Sequence, residues 1–346
     1  MRRAINFFAI RTTLTASAVV SIIFATGVAS ARATAQSPTT RQQRLLVLSK
    51  NDQLMSIVDP NNLKIIAQVP TGPDPHEIVA SDDGTRAYIS NYGSGAYNTL
   101  TVVDLVNRKS LGTIDLGALR GPHGLHFSGG KVWFTAEAAK VIGSLDPATN
   151  KIDLILGSGQ DGTHMIYAFA DQSRLVATNV GSGTVTFFER RAGPRPNWAA
   201  TTVPAGPRSE GFDVTPDGKM VWTANAGNGT ITMIDVATKT VANFSPNVQG
   251  ANRLKFTPDG TMALVSTLGA PDLRVIRVAD HTDVKRIPVG TGAAGIQIQP
   301  DGARAYVACS PDNYVAVVDL KSMQVVGRID AGRNPDGLAW AAIPDR

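Results

Sequence analysis

The sequence predicts an all-β fold, a β-propeller of seven four-stranded antiparallel blades. Three observations favour this fold class. A short turn sequence recurs along the chain at steps of 42 to 46 residues. Two β-rich segments follow each turn in the same order, and no stretch shows sustained helical periodicity. Four-stranded units of about 40 to 45 residues are typical of propellers, so the repeat indicates both the fold and its blades.

The recurring turn is a Pro-Asp-Gly sequence or a variant of it. Its clear copies are SDDG (81–84), TPDG (215–218), TPDG (257–260) and QPDG (299–302), and its degenerate copies are SGG (128–130) and DQS (171–173). Proline fixes one backbone angle and glycine accepts a positive one, as a tight turn requires. Each copy therefore marks one turn within a blade.

The segments after each turn read as two successive strands. The first segments are RAYISN (86–91), KVWFTA (131–136), RLVATN (174–179), MVWTAN (220–225), MALVST (262–267) and RAYVAC (304–309). The second segments are TLTVVDL (99–105), VIGSLDP (141–147), TVTFFE (184–189), TITMIDV (230–236), LRVIRV (273–278) and YVAVVDL (314–320). Alternating and β-branched residues between Gly, Asn and Pro are typical of short strands. A third segment such as 325–332 and an inner segment such as 210–215 complete four strands.

The first blade is predicted to be split between the two ends of the chain. Three of its strands are RLLVLSK (44–50), LMSIVD (54–59) and KIIAQVP (64–70), and its inner strand is GLAWAAI (337–343). This closure removes two exposed sheet edges that would otherwise invite aggregation.

The N-terminal residues have the three parts of a secretory signal. Arg2, Arg3 and Arg11 make a positive start, residues 14–28 are apolar or small, and two A-x-A triplets end at residues 31 and 35. We therefore expect a signal peptide and cleavage region at 1–35, a short linker at 36–43 and a single propeller at 44–346. The expected location is periplasmic or secreted, with no membrane span after cleavage. The alternative is a membrane anchor that stays in place, for which the apolar stretch is short.

Charge and cysteine content narrow the functional classes. Without residues 1–31 the balance falls from 33 basic and 28 acidic residues to 30 and 28, so nucleic-acid binding is not expected. The single cysteine, Cys309, cannot form an internal disulfide and is expected to be a small buried hydrophobe. We expect a monomer. The chain has no C-x-x-C-H motif for haem c and no P-loop for a nucleotide.

The repeats resemble a known family. RAYISN…TLTVVDL, MVWTAN…TITMIDVATKTV and PDGARAYVAC…YVAVVDL are similar to the YVTN family of β-propeller repeats, over nearly the whole mature chain. Blade three, GPHGLHF…KVWFTAEAAKVIGSLDPATNKI, resembles the streptogramin lyase (virginiamycin B lyase) propellers over about one blade. The resemblance implies the fold more than a function, because the YVTN family spans surface proteins, binding proteins and enzymes. It carries over no catalytic residue.

Loops that lead into the inner strands lie on one face of a propeller, around the central channel, where ligands bind most often. Alignment of the seven inner strands gives one residue per blade at this position, here called the mouth ring: His76, His123, His164, Glu210, Asn252, Ala294 and Asp336. Imidazole and carboxylate ligands suit zinc, copper, iron or nickel. The sequence therefore predicts a divalent metal at His76, His123, His164 and Glu210. The same groups could instead act as general acid and base, or be plain polar lining of a wet channel.

A second ring lies three positions further along each inner strand. Its members are Val79, His126, Tyr167, Asp213, Lys255, Gln297 and Ala339. Period-two alternation turns these side chains toward the channel. A structural reading pairs Asp213 with Lys255 and hydrogen-bonds His126 to Tyr167. The ligand-binding candidates from both rings and the loops beside them are His123, His126, Tyr167, Glu77, Glu137, Arg253 and Asp336. We interpret Asn91, Asn179 and Asn225 as turn formers.

Two functions stay open from the sequence. The first is an exported binding or scaffold module that recognises a small ligand or a protein partner at the histidine-lined channel face. The alternative is a metal-dependent lyase or lactone hydrolase, of the streptogramin-lyase-like or lactonase-like type. The sequence does not decide whether the protein is an enzyme.

Overall fold

A computed structural model describes residues 41–193 and 197–345 of the chain. Within these residues it contains seven four-stranded antiparallel sheets arranged in a ring, which confirms the predicted seven-bladed propeller. The one helical element among them is a three-residue 3₁₀ turn, Gly93–Gly95. In the described part of the chain no helix has the length and apolar character needed to cross a membrane.

Each blade runs from the channel outward through four strands. The inner strands are β4 (Pro75–Ala80), β8 (Pro122–Ser128), β12 (Thr163–Ala168), β16 (Ser209–Val214), β20 (Ala251–Phe256), β24 (Ala293–Ile298) and β28 (Pro335–Pro344). The second strands are β5 (Arg86–Asn91), β9 (Lys131–Ala136), β13 (Arg174–Asn179), β17 (Met220–Asn225), β21 (Met262–Thr267), β25 (Arg304–Cys309) and β1 (Arg41–Ser49).

The outer half of each blade contains the remaining two strands. The third strands are β6 (Thr99–Asp104), β10 (Val141–Asp146), β14 (Thr184–Arg191), β18 (Thr230–Asp235), β22 (Asp272–Arg277), β26 (Tyr314–Asp319) and β2 (Leu54–Asp59). The fourth strands are β7 (Lys109–Asp115), β11 (Lys151–Gly157), β15 (Asn197–Pro204), β19 (Val241–Phe244), β23 (Asp283–Pro288), β27 (Gln324–Ile329) and β3 (Lys64–Pro70).

Blade one is closed by both ends of the described chain, as predicted. Its sheet has the order β28-β1-β2-β3, and Arg41 pairs with Pro344. Strand β28 also packs against the inner strands of both neighbouring blades, β4 and β24, which completes the ring. Strand β1 begins at Arg41, inside the expected linker 36–43, and the expected signal peptide at 1–35 lies outside the described residues.

The core lies between the blades. Second and third strands are buried along most of their length, whereas the residues of the fourth strands are mostly exposed or half-buried. One cluster joins Leu46 of blade one, Ile78 of blade two and Ala339 of β28. Cys309 is fully buried in a similar cluster.

Every inner strand has a β-bulge at its channel-mouth end. Its first residue pairs with the last residue of the second strand, and the register then shifts by one residue. The second and third residues of each inner strand therefore share one bulge. The second residue of every inner strand is a member of the mouth ring, so the predicted alignment of the seven blades is confirmed.

The third residue of each inner strand is either long or glycine. Around the ring it is Glu77, Gly124, Met165, Gly211, Arg253, Gly295 and Gly337. A Cβ on Gly295 would lie 2.1 Å from the Asp336 carbonyl oxygen, and one on Gly124 would lie 2.5 Å from the His164 carbonyl oxygen. Glycine is required there because the backbone of the next blade comes too close for a side chain.

Hydroxyl groups of the second strands fix the mouth ring. In four of the blades one such hydroxyl accepts a hydrogen bond from a bulge N–H of its own blade. The same hydroxyl donates one to the carbonyl of a mouth-ring residue in the next blade. The pairs that donate across blades are Ser90–His123 (2.9 Å), Thr135–His164 (2.7 Å), Thr178–Glu210 (2.8 Å) and Ser266–Ala294 (2.8 Å). These bonds hold neighbouring mouth-ring residues at a set distance from one another.

The interpretation of Asn91, Asn179 and Asn225 as turn formers needs correction. Their side chains are fully buried, and each amide donates to two threonine hydroxyls of the adjacent third strand. The Asn225 amide oxygen also accepts the N–H of Gly206 in the incoming loop. These asparagines tie the strand end to the loop and sheet around it, because a buried amide must have its hydrogen bonds met.

Candidate functional site

Three mouth-ring histidines meet at one side of the channel mouth. The ring centroids of His76 and His123 are 4.4 Å apart, and those of His123 and His164 are 3.7 Å apart in a stacked arrangement. Tyr92 closes the group, with its ring edge on His123 at 4.9 Å. The consecutive blades two, three and four supply one histidine each, as the sequence alignment indicated.

His164 is held between two carboxylates. Its Nδ1 hydrogen-bonds Glu137, and its Nε2 lies 2.7 Å from Glu210 Oε2. Burial alone would lower the pKa of His164, but the two carboxylates outweigh it and raise that pKa to about 9. Burial likewise disfavours the charged form of Glu210, but the hydrogen bond from His164 brings its pKa down to about 2. His164 is therefore an imidazolium at neutral pH.

His123 is the most deeply buried of the three, with 1% of its surface exposed. Its Nδ1 has no hydrogen-bond partner among the described residues. Burial, reinforced by the positive charge of His164, keeps the pKa of His123 well below its usual range. His123 is thus a neutral imidazole with an unused buried nitrogen, which is costly unless something binds there.

His76 belongs to a separate set of charges. Its Nδ1 accepts a hydrogen bond from the Lys50 ammonium at 2.9 Å, and its Nε2 lies 3.6 Å from Asp336 Oδ2. Lys50 also pairs with Asp336 at 3.1 Å and with Asp74 at 3.7 Å. Because Lys50 can only donate, the His76 ring proton lies on Nε2. Burial is the main cause that lowers the pKa of His76, so this ring is neutral.

One group of side chains in the described part of the chain has ligand atoms close enough to share a metal ion. It consists of His123, Glu137 and His164, whose ligand atoms lie within 4.8 Å of one another. Two of the four predicted ligands are in this group. Glu137, predicted as a ligand-binding residue, takes the place of the other two: His76 is engaged by Lys50, and Glu210 binds the second nitrogen of His164.

The surroundings of this group fit a divalent metal. Because Glu210 binds His164 Nε2, the Nδ1 of His164 would be available to a cation. A metal-binding histidine usually has a carboxylate hydrogen-bonded to its other ring nitrogen. Tyr92 Oη donates to Glu137 Oε2 at 2.5 Å and so orients that carboxylate. His123, a neutral imidazole, supplies a further donor nitrogen. Two histidines and one carboxylate suit zinc, manganese, iron or nickel.

An ion pair crosses the channel below the mouth ring. Arg253 of blade six donates to Glu77 Oε1 of blade two at 2.6 Å, although two other blades lie between them by the shorter way around the ring. The Arg253 side chain is only 8% exposed. The two predicted ligand-binding residues therefore bind each other, and together with Met165 they border a cavity on the far side.

The second ring lies on that far side. Asp213 and Lys255 pair at 3.8 Å, in line with the structural reading. His126 does not hydrogen-bond Tyr167 as that reading proposed. It stacks on Tyr167 with centroids 4.6 Å apart, and its Nδ1 accepts the Ala168 N–H at 3.1 Å.

Sequence reasoning missed two residues of the site, Lys50 and Tyr92. Both directly follow a second strand, at the position that Glu137 occupies after β9. The blades align well enough in sequence that the residue after each second strand could have been compared across the blades, as the mouth-ring residues were. The signal was present, because the loops that follow second strands lie on the same face as the mouth ring.

No family model matches the chain, and no curated relative matches it, so membership in the YVTN or streptogramin lyase families stays a prediction. Solved structures do match. A functionally unknown protein from Desulfotomaculum acetoxidans is 16% identical with a TM-score of 0.72, over 87% of this chain and 99% of that one. Hydrazine synthase of Kuenenia stuttgartiensis is 19% identical with a TM-score of 0.69, over 80% and 92%. A candidate 6-phosphogluconolactonase of Bacteroides fragilis is 16% identical with a TM-score of 0.69, over 87% and 98%. At these identities the likeness shows the propeller fold alone.

Proposed function

We propose that this protein is a divalent-metal-dependent enzyme that cleaves a C–O bond of a lactone or another ester, by hydrolysis or by elimination. The observation that carries the proposal is the group of His123, Glu137 and His164 with its two supporting contacts, Glu210 on His164 and Tyr92 on Glu137. A propeller that served only as a scaffold would not need to bury so many ionisable groups at one mouth of its channel.

The chain's own residues have distinct roles in this proposal. His123, Glu137 and His164 would hold the cation, which when bound supplies Lewis-acid polarisation of the ester carbonyl. Glu210 and Tyr92 keep two of these ligands in orientation. In hydrolysis a water oxygen bonds to the acyl carbon, the acyl C–O bond breaks, and a proton of the water ends on the departing oxygen. In elimination a base takes a C–H proton, a C=C bond forms, and the alkyl C–O bond breaks to release a carboxylate.

In both reactions the departing oxygen gains negative charge. The His76 ring contacts the His123 ring, and the Lys50 ammonium donates to His76, so the His76 Nε2–H and the Lys50 ammonium both lie beside the ligand group. We assign them to stabilise that oxygen, with Asp336 as the counter-ion that keeps them in place.

The choice of substrates rests on two weaker supports. Proteins from Bacteroides fragilis and Bacteroides uniformis with the same fold are described as candidate 6-phosphogluconolactonases. Blade three resembles the streptogramin lyases, which act by elimination. A panel of sugar lactones, aliphatic lactones and cyclic depsipeptides therefore covers both reaction types.

Metal analysis of the purified protein tests the proposal first. We expect one divalent ion per chain, and thermal stabilisation when zinc, manganese, iron(II) or nickel is added to the metal-free form. The E210Q variant should bind the metal about 10- to 100-fold more weakly, because it loses the support of His164. The H126N variant is the matched control, since His126 lies outside the ligand group and should leave metal binding unchanged. A wild-type protein with no metal and no stabilisation by any of the four would end the proposal.

The second candidate is the binding module favoured by the sequence. One observation supports it: in the absence of a cation the charges of the site already pair with one another, as His164 does with Glu137 and Glu210. Such a module would bind metal or ligand at the same residues but would convert none of the panel. Turnover that E210Q reduces and H126N does not would decide for the enzyme.

We further propose that the protein acts outside the cytoplasm, in the periplasm or as a secreted protein. The support is the leader-like composition of residues 1–35. The mass of the protein isolated from its native host tests this, with an N-terminus after residue 31 or 35 as the expected result.

A further inference from the structure

A second cavity lies in the channel on the far side of the Glu77–Arg253 ion pair. Its volume is about 270 Å³, and its lining includes residues of inner strands from six of the seven blades. The mouth-ring histidines are not among its lining residues. It is thus a separate compartment from the proposed metal site, and a ligand that binds in it would do so whether or not the proposed function is correct.

The cavity contains a cation without a hydrogen-bonded partner. The Lys255 side chain is 41% exposed, and its ammonium lies 3.8 Å from Asp213 Oδ1, beyond hydrogen-bond distance. Asp213 already accepts the Val214 N–H with Oδ1 and the Phe256 N–H with Oδ2, both at 3.0 Å. Among the described residues no other acid pairs with Lys255, and Lys255 is one of the residues that line the cavity.

A second donor comes from His126. Its Nδ1 accepts the Ala168 N–H at 3.1 Å, so the ring proton of the neutral imidazole must lie on Nε2. No described residue accepts that proton, and His126 lines the cavity. The stack against Tyr167 fixes the plane of the ring and hence the direction of the donor. Arg253 also lines the cavity at the border with the mouth ring, where it is paired with Glu77.

The rest of the lining combines the polar side chains of Glu77 and Gln297 with a set of apolar ones. The apolar set includes Leu125, Phe127, Met165, Leu338 and Trp340. The Lys255 ammonium and the His126 N–H beside apolar side chains favour an anion that carries an apolar body. A hydrated phosphate would satisfy the donors but leave the apolar surface without a partner.

From these contacts we infer that the cavity is a binding site for a small organic carboxylate with an apolar body, about the size of benzoate. The carboxylate accepts hydrogen bonds from Lys255 and His126, and the apolar body packs against Phe127 and Trp340.

Calorimetric titration of the full mature protein in a chelator tests this inference. We expect benzoate to bind with a dissociation constant of about 0.1 to 1 mM. Benzamide, which has the same shape without the charge, and inorganic phosphate should each bind at least about tenfold more weakly. The K255Q variant should lose at least about tenfold in benzoate affinity. The control variant K321Q removes a lysine outside the cavity and should bind benzoate as the wild type does.

Two further measurements separate this cavity from the mouth ring. The E210Q variant, altered only at the proposed metal site, should bind benzoate normally, and benzoate should change the fluorescence of Trp340. Equal binding of benzoate and benzamide, phosphate binding as strong as that of benzoate, or an unchanged affinity in a folded K255Q protein would overturn the inference.

Discussion

His164 shows how a single residue can set the pH response of the whole protein. A histidine whose pKa is raised by folding binds its proton more tightly in the folded state than in the unfolded state. Its contribution to stability is complete below the unfolded pKa of about 6.5 and is lost as the pH rises through its folded pKa of about 9. The neighbouring buried histidines act in the opposite direction. Burial lowers the pKa of His126 to about 4, so stability also falls as the pH drops from about 6.5 toward 4.

The metal-free protein should therefore be most stable near pH 6.5. Between that pH and pH 9 we expect the free energy of unfolding to fall by roughly 3 kcal/mol through His164 alone. Urea unfolding in a chelator at a series of pH values measures this. In the H164N variant the loss on the alkaline side should largely disappear while the loss on the acidic side remains.

The control for this prediction is H281N, which removes an exposed histidine far from the mouth ring. It should follow the wild-type pH curve on both sides. An alkaline loss of the same size in H164N and in wild type would show that His164 is not the titrating group.

At the scale of the element, the bulge of each inner strand is the unit that builds the channel. It places two consecutive side chains beside the channel, which is how His76 and Glu77 can belong to different parts of the site. It also brings neighbouring backbones close together, and four of the seven blades have a glycine at the third position, where the next backbone leaves no room for a Cβ. Glycine at these four positions is therefore a steric requirement of the ring.

Gly295→Ala should be clearly destabilising. Its new Cβ would lie 2.1 Å from the Asp336 carbonyl oxygen, so the β24 and β28 backbones must separate. We expect a loss of about 1 to 3 kcal/mol in the free energy of unfolding, as is usual for overpacking. The matched control is Gly157→Ala at the end of β11, where no atom lies within 4 Å of the new Cβ. Thermal and urea unfolding of the two variants should differ, and equal stabilities would refute the close approach.

The strands were predictable from the sequence because their signals are local. Turn residues, alternation and repeat length locate RAYISN as β5 and VIGSLDP as β10 to within a residue or two. The mouth ring followed from aligning the repeats. Aligning the repeats could not predict the ion pair of Glu77 with Arg253. This contact depends on the distance across the ring between two nonadjacent blades, which the repeat spacing does not contain. The link of Glu137 to His164 was missed for a related reason: the loop after β9 reaches over the next blade, which no repeat spacing reveals.

At the scale of the whole molecule, the split blade joins the first and last strands of the described chain into one sheet. Strand β28 pairs with β1 from Ser49↔Pro335 to Arg41↔Pro344, and it contributes Ala339, Ala341 and Ile343 to the core between blades one and two. It also places Asp336 beside Lys50. One strand thus closes the ring, fills a core and completes the charge set at the channel mouth.

Deletion of residues 335–346 should therefore prevent stable folding, because it opens the ring, exposes the edge of β1 and removes core side chains. Soluble yield and thermal unfolding measure the effect. A circular permutant provides the control: a short loop joins Pro344 to Arg41, and new termini are opened in the loop at residues 71–74. This permutant contains every strand, with β28 now continuous with β1, and should regain a cooperative unfolding transition. Wild-type-like melting of the truncated protein would contradict the closure, since the ring would then hold without its seventh inner strand.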